Sequence, residues 1–500
     1  MGMKEMSKLK ELFRFALFAL GVVVFAFGAG AADLKIDFTR SMGAIKPVHG
    51  VNNGPVRPMP GAKQDEFRAA GIPFMRTHDT HSMWGGSHYV DVPNIFPNVD
   101  ADENDPNSYD FMFTDGYLRP YVEAGVKIFY RLGVTIENYA SVKRYTTKPP
   151  EDFAKWGRIC EHIVRHYNEG WANGFRWNIE YWEIWNEPEA APGKYSAMWS
   201  GTKEQFFELY REAAIEIKTK HPNVKVGGYG AMGFYAVDMK PGTLMKDKST
   251  IGEPTGDQKL YVTWFEDFCR YVTDPKTKAP FDFFGWHLYV WGGWTVDRIV
   301  THAKAAREIL DRHGLTSTES FLDEWNDANG IWAPRGKYPR KYSDLKRIRG
   351  AVSTAAAFAL MQKAPLTGAM YYDALPTRRW CGLFTFPDME TTATYAVFKA
   401  FNALYRLGTD VALEPTPAEN VYAAAAKGDS GRQAVYLVNV GATAEKLTLA
   451  FTGAAAAYDV TRLEKEQTDF APAGEANAGG AIELPPMSVT LLQSRLDPVP

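Results

Sequence analysis

Between about residue 47 and residue 408, short runs of apolar, β-prone residues alternate with longer stretches whose apolar positions recur every three or four residues. Eight of the short runs read as buried strands: His49–Asn53, Phe74–His78, Lys127–Leu132, Tyr181–Trp185, Val224–Gly228, Phe283–His287, Ser320–Asp323 and Gly368–Tyr372. Between them, Gln205 to Lys218 sets Phe206, Phe207, Tyr210, Ala213, Ala214 and Ile217 on one helical face, and Trp294 to His313 and Leu345 to Lys363 keep the same period. Glycine and proline punctuate the joins, as at Gly71-Ile72-Pro73. Eight strand–helix units predict an α/β fold, a (β/α)8 TIM barrel. A doubly wound open sheet would carry a glycine-rich phosphate turn after its first strand, and Gly50-Val51-Asn52-Asn53-Gly54 lacks that spacing. The stretch from Tyr89 to Asp115, rich in Asp, Asn and Pro, reads as a long loop at the barrel mouth.

After Leu407-Gly408 the period falls to two. Val421–Ala426, Arg432–Val440, Glu445–Phe451, Tyr458–Arg462 and Ser488–Ser494 alternate apolar and polar residues between turn-forming clusters. Residues 409–500 are therefore predicted to form a small antiparallel β accessory domain, sandwich-like in type. Residues 33–46 add Leu34–Phe38 to it as a further strand, leaving 47–408 as the barrel. The segment Ala471–Ala481 reads as a flexible loop by composition. Residues 1–32 run from Lys4, Lys8, Lys10 and Arg14 through the apolar Phe15–Phe27 to Gly28-Ala29-Gly30-Ala31-Ala32, the order of a secretory signal cut after Ala31 or Ala32. The mature chain is expected to be exported, to the periplasm or beyond, with no membrane span.

Composition narrows the partners. With 56 basic against 59 acidic side chains the net charge is −3, so there is no basic excess for nucleic acid. Cys160, Cys269 and Cys381 make no metal-ligand spacing, and no cofactor motif is present, so neither a metal nor a cofactor is predicted. Nothing in the pattern specifies an oligomeric state.

In a barrel of this type the chemistry lies at the carboxyl ends of the strands. The second ends Arg76-Thr77-His78-Asp79, the fourth Glu183-Ile184-Trp185-Asn186-Glu187-Pro188, and the sixth Trp286-His287-Leu288-Tyr289. The seventh ends Asp323-Glu324-Trp325-Asn326 and the eighth Tyr371-Tyr372-Asp373. Glu187 and Glu324 thus face each other across the mouth. Cleaving a glycosidic bond needs one carboxylic acid to protonate the leaving oxygen and one carboxylate to attack or support the cationic sugar. Held on a rigid barrel in unlike surroundings, two carboxyls have their pKa values pushed apart, and Glu187 is expected high and Glu324 low. Asn186 is placed to bond a sugar hydroxyl, while Trp325 and the other strand-end tryptophans offer an apolar floor for the ring. His78, His81 and His88 near Asp79 and Asp91 raise a rival metal-hydrolase reading, without the spacing of a zinc motif. A non-catalytic sugar-binding barrel is the other rival, and it would be marked by loss of one glutamate.

These strand ends resemble a known family. Glu183 to Pro188 looks like the acid/base motif of the clan of barrel glycosidases with glutamates on strands four and seven. Asp323-Glu324-Trp325-Asn326 resembles the nucleophile segment of glycoside hydrolase family 39, which holds β-xylosidases and α-L-iduronidases. His49 to Pro55, Arg76-Thr77-His78 and Trp286 to Tyr289 echo it in order. The resemblance implies a retaining exo-glycosidase acting on a carbohydrate by double displacement, with Glu187 as acid/base and Glu324 as nucleophile. It places Asn186 on the sugar 2-hydroxyl and His78, His287 and Tyr289 around the sugar, and Tyr372 joins them from the eighth strand. A β-xylosidase is the first expectation, and a uronide- or arabinose-cleaving relative the second. Arg378-Arg379, a departure from the pattern, would suit a uronate carboxylate or stand as solvated loop charge.

Overall fold

The computed structural model describes residues 32–495 except 56–62, 81–89, 136–146, 190–197, 234–242, 245–249, 252–255, 291–294, 330–343, 377–379 and 417. Residues 1–31 of the predicted signal segment, His81, His88, Arg378 and Arg379 lie outside the described residues. All eight predicted barrel strands form. They are Gly50–Asn52, Phe74–Arg76, Lys127–Leu132, Tyr181–Ile184, Lys225–Ala231, Phe283–Val290, Glu319–Asp327 and Gly368–Tyr371. They pair in parallel in chain order, and the eighth closes on the first through Met370 opposite Gly50 and Tyr371 opposite Val51. A helix follows each strand, and local sequence fixes where several of them begin. Thr202 and Gln205 make a reciprocal capping box at the start of Lys203–Lys220. Asp152 and Thr392 cap Phe153–Asn168 and Ala393–Tyr405 with their side chains.

The barrel interior is layered by polarity. Phe74, Phe129, Tyr181, Phe283, Phe321 and Met370 close its amino-terminal end, with Phe129 and Tyr181 stacked at 5.2 Å between centroids. Burying these rings supplies apolar free energy at the floor. Above it the layer is charged, with Arg76, Glu183 and Asp323 all fully buried. Burial of such groups is costly without partners, and it marks the working end.

The second sheet has nine strands, in the order Ala471–Asn477, Ala457–Leu463, Ser488–Ser494, Gln433–Asn439, Val421–Lys427, Thr409–Leu413, Ala32–Ala44, Glu445–Thr452, Ala481–Leu484. The N-terminal strand joins it as expected, antiparallel to Thr409–Leu413 and parallel to Glu445–Thr452, so the sheet is mostly rather than wholly antiparallel. Alternate residues serve two cores. Leu34, Ile36, Val435, Leu437, Leu449 and Leu492 pack among themselves. Ala434, Tyr436 and Val438 face the barrel helices, with Tyr436 edge-on to Phe401 at 5.9 Å.

Two expectations are corrected. Ala471–Asn477 is a strand, not a flexible loop, running antiparallel to Ala457–Leu463 with only Ala476 buried. Small residues, Pro472 and Gly474 are tolerated there because it is an edge strand with one free side. The stretch read as a loop through Asp115 contains a helical turn at Val92–Ile95, and the helix Met112–Glu123 begins inside it. Asp91 anchors that segment, accepting from Arg131 Nη2 at 2.8 Å and from the Thr135 amide and hydroxyl. The three cysteines are buried and free, with burial raising each thiol's pKa. No helix among the described residues is long and apolar enough to cross a membrane.

Candidate active site

Strand four ends at Ile184, and the backbone then turns sharply: Trp185 has φ +76° and Glu187 φ +45°. Both angles are unfavourable for residues with a Cβ and persist because their surroundings hold them. The Trp185 amide donates to Leu132 O at 2.6 Å and its indole Nε1–H to Met198 O at 3.0 Å. The Glu187 amide donates to Gly230 O at 2.9 Å. Gly230 is itself at φ +55°, and a Cβ there would meet Arg76 Nη2 at 2.7 Å. The turn thereby brings the Glu187 carboxyl to His287 of strand six.

Glu187 and Glu324 meet there. They and His287 offer ligand atoms that all lie within 4.8 Å of one another, so the facing carboxyl oxygens stand no farther apart than that. His287 Nδ1 is 2.7 Å from Glu187 Oε1 and 3.7 Å from Glu324 Oε2. Tyr289 donates its hydroxyl to Glu324 Oε1. Arg76 Nη1 donates to Glu324 Oε2 at 3.0 Å. This is the one grouping of His, Cys, Asp and Glu among the described residues with the closeness of a metal site, and it is the carboxyl pair itself. Of the histidine cluster in the rival metal reading, His81 and His88 lie outside the described residues; His78 Nε2 lies 3.2 Å from Asp79 Oδ1, and Asp91 accepts from Arg131 and Thr135.

Arg76 is the residue that strand-end reading passed over. Fully buried, it donates from Nε to Glu183 Oε2 at 2.7 Å, from Nη1 to Asn52 Oδ1 at 3.1 Å as well as to Glu324, and from Nη2 to Asn186 Oδ1 at 2.7 Å. Burial works against its charge, and the carboxylates of Glu183, Asp323 and Glu324 outweigh that, raising its pKa. The planar fork suits this task as an ammonium would not. An arginine at the inner end of a barrel strand, in a chain with acids at other strand ends, was the available signal. Asn186 spends its oxygen on Arg76, and its Nδ2 has no partner among the described residues, which leaves a donor for a sugar hydroxyl.

The electrostatics agree with expectation for one glutamate and correct it for the other. Burial lifts Glu187 to about 8, with Arg76 opposing and Asp79 adding to the rise. Glu324 was expected low and is instead raised: burial and the nearby Glu187 charge outweigh His287, Arg76 and Tyr289, which favour its anion. Burial holds His287 down to about 4, so its ring is neutral near pH 7.

The aromatic surroundings also differ from expectation. Trp325 does not floor the sugar site. It is 1% exposed and points into the layer between barrel and helices, edge-on to Tyr371 at 5.4 Å and Phe358 at 6.1 Å, because its neighbour Glu324 takes the inward position. Trp185 is likewise buried, against Trp156 and Trp199. Among the described residues, the rings at the mouth are Tyr289, Tyr372 and the partly exposed Trp380, whose centroid lies 5.0 Å from Tyr289 and 5.6 Å from Tyr372. Tyr372 donates to Asp79 Oδ2 at 2.7 Å, tying strand eight to strand two.

A closed (β/α)8 barrel that poises two carboxyls over a buried arginine at the carboxyl ends of its strands has the architecture of a barrel glycosidase. Comparison with known proteins places it further. The family described as glycosyl hydrolases family 39 matches residues 34–313, more than half of the chain, and the chain belongs to that family. Glu187 lies inside the match and Glu324 beyond its end. Similar curated proteins are β-xylosidases from Caldicellulosiruptor saccharolyticus, 27% identical over 190 residues, and from Geobacillus stearothermophilus, 26% identical over 151. The matches cover 36% and 28% of this chain, and only 31% and 28% of those two proteins. Among solved structures, a glucosidase from Croceicoccus marinus superposes with a TM-score of 0.72 at 21% identity, covering 93% of this chain and all of that one. A family 39 β-xylosidase from Caulobacter crescentus gives 0.61 at 16% with the same coverage.

Proposed function

We propose that the protein is a retaining exo-glycosidase, exported by its N-terminal segment, that cleaves a neutral sugar, a β-xyloside first. The observation that carries the reading is the approach of the two carboxyls. Their facing oxygens are within 4.8 Å, near the separation of about 5–5.5 Å that retaining pairs use and short of the roughly 6.5–9.5 Å that admits a water in inverting ones. Glu187, whose proton is held to about pH 8, is the acid that serves the leaving oxygen. Glu324 attacks the anomeric carbon from the opposite face, oriented by Arg76 and Tyr289. Water then enters with Glu187 acting as base. Xylose is supported by the curated relatives, both named as β-xylosidases. Asp79, which accepts from Tyr372, puts an acid rather than a cation beside that ring, and this favours a neutral sugar over the uronide alternative.

Aryl glycosides and azide test this reading. Glu187→Ala should still turn over dinitrophenyl xyloside, and azide should release xylosyl azide of retained configuration. Glu324→Ala should be nearly inactive, with azide giving the inverted product. Equal, near wild-type rates in both variants would end the proposal, and an inverted first anomer by NMR would end its stereochemistry.

A further inference from the structure

Behind the carboxyl pair lies a second acid that the double displacement does not use. Asp323 is fully buried and sits one residue before Glu324, so plain alternation would turn it out of the barrel. It faces inward because strand seven carries an extra residue there: Leu322 stands opposite Trp286, and the next paired position is Glu324 opposite His287. A bulge of this type re-aims a side chain. Facing it on strand six is Gly285, where a Cβ would lie 2.0 Å from Asp323 Oδ2 and 2.8 Å from Glu183 Oε1. Bulge and glycine together make room for one carboxyl behind His287.

Its two oxygens have different neighbours. Oδ2 shares the Gly285 space with Glu183 and lies 3.7 Å from Arg76 Nε, which already gives its short bond to Glu183. Oδ1 faces His287 Nε2 at 3.5 Å, and neither atom makes a hydrogen bond among the described residues. Burial and the Glu183 charge raise the pKa of Asp323, and a proton shared with Glu183 on the Oδ2 side leaves Oδ1 an acceptor. The other ring nitrogen, Nδ1, is the one at 2.7 Å from Glu187. The imidazole therefore stands between a buried acid and Glu187, with Glu324, Arg76, Glu183 and Asp79 as the remaining charged groups acting on it. A neutral imidazole has one N–H and one lone pair, and what faces one nitrogen decides what the other offers.

We propose that Asp323 is a positioning residue for the acid/base: it holds His287 as the Nε2–H tautomer, so that Nδ1 accepts the hydrogen bond of the protonated Glu187 carboxyl. In that state Glu187 keeps its proton aimed and bound until the leaving oxygen competes for it. The opposite tautomer would donate from Nδ1 and favour the Glu187 anion. The 3.5 Å approach is a loose contact of the kind that tightens when substrate closes a site. An aspartate that selects a histidine tautomer is an established device of hydrolytic sites, here placed behind a carboxylic acid rather than a hydroxyl nucleophile. The inference rests on the reading of Glu187 as the acid/base.

Histidine-selective 15N labelling of the full chain reads the tautomer directly, with His287 identified as the resonance missing from His287→Gln. The wild type should show Nε2–H. Asp323→Asn, whose amide can donate to Nε2, should convert it to Nδ1–H. In that variant the kcat/KM ratio of dinitrophenyl to methoxyphenyl glycoside should rise about tenfold, because only the poor leaving group needs the proton. The basic limb of the pH profile should move to lower pH. An Nδ1–H tautomer in the wild type overturns the proposal whether or not the variant folds. So does an Asp323→Asn that slows both substrates by one factor with its basic limb unmoved. Failure of azide to rescue Glu187→Ala would instead sink the acid/base assignment, and the tautomer would stand as measured.

Discussion

Replacing Glu187 by glutamine should make the protein more stable at neutral pH while removing the group proposed as its acid. The residue is 9% exposed and its carboxyl loses its proton only near pH 8, against 4.5 for an unburied glutamate. A raised carboxyl pKa means that folding favours the protonated form. The group costs nothing below pH 4.5, and its penalty grows as pH rises and levels off above about 8. Each pH unit in that window is worth about 1.4 kcal/mol, so at pH 7 the penalty is on the order of 3 kcal/mol. Glutamine has the same shape, carries no charge, and can donate its amide N–H to His287 Nδ1. Urea unfolding followed by tryptophan fluorescence should show the variant and wild type nearly equal at pH 4.5 and separated by up to that amount at pH 7. kcat/KM on poor leaving groups should fall by at least a hundredfold, the lower bound of general acid catalysis. A stability difference that is the same at both pH values would refute the reasoning, because a burial penalty on a titrating group must vanish where the group is protonated in both states.

Arg76→Met should destabilise by about 3–5 kcal/mol, since it leaves Glu183, Asp323 and Glu324 buried without their cation, and Arg76→Lys should restore little because one ammonium cannot span four partners. Denaturant midpoints decide both. Tyr289→Phe removes a donor that favours the Glu324 anion, so the acidic limb of kcat/KM should move to higher pH; an unmoved limb would contradict the assigned contact. Trp325→Ala should cost about 3–5 kcal/mol of stability and leave KM as it was, whereas Trp380→Ala should raise KM with little change in the denaturation midpoint.

Local pattern was enough to determine much of this molecule. The eight barrel strands, the helical faces between them and the period-two strands beyond residue 408 follow from spacing along the chain, which is a property of neighbours. Glu187 and Glu324 were legible because strand ends in a barrel converge and the acids stood at two of them. What only the tertiary structure decided depends on which strand lies beside which, and in what register. Arg76 meets Glu183 across 107 residues of chain and Glu324 across 248, so no local period could name its partners. Asp323 faces inward because of a bulge, a mismatch between two strands that neither strand's own alternation contains. Trp325 follows Glu324 by plain alternation and so turns outward against Tyr371, contrary to the expectation that it would floor the site. Ala471–Asn477 is a strand because a partner edge was free to take it, not because its small residues prefer one. Glu324 is raised rather than lowered because the depth of burial, set by everything packed around it, outweighs the donors beside it.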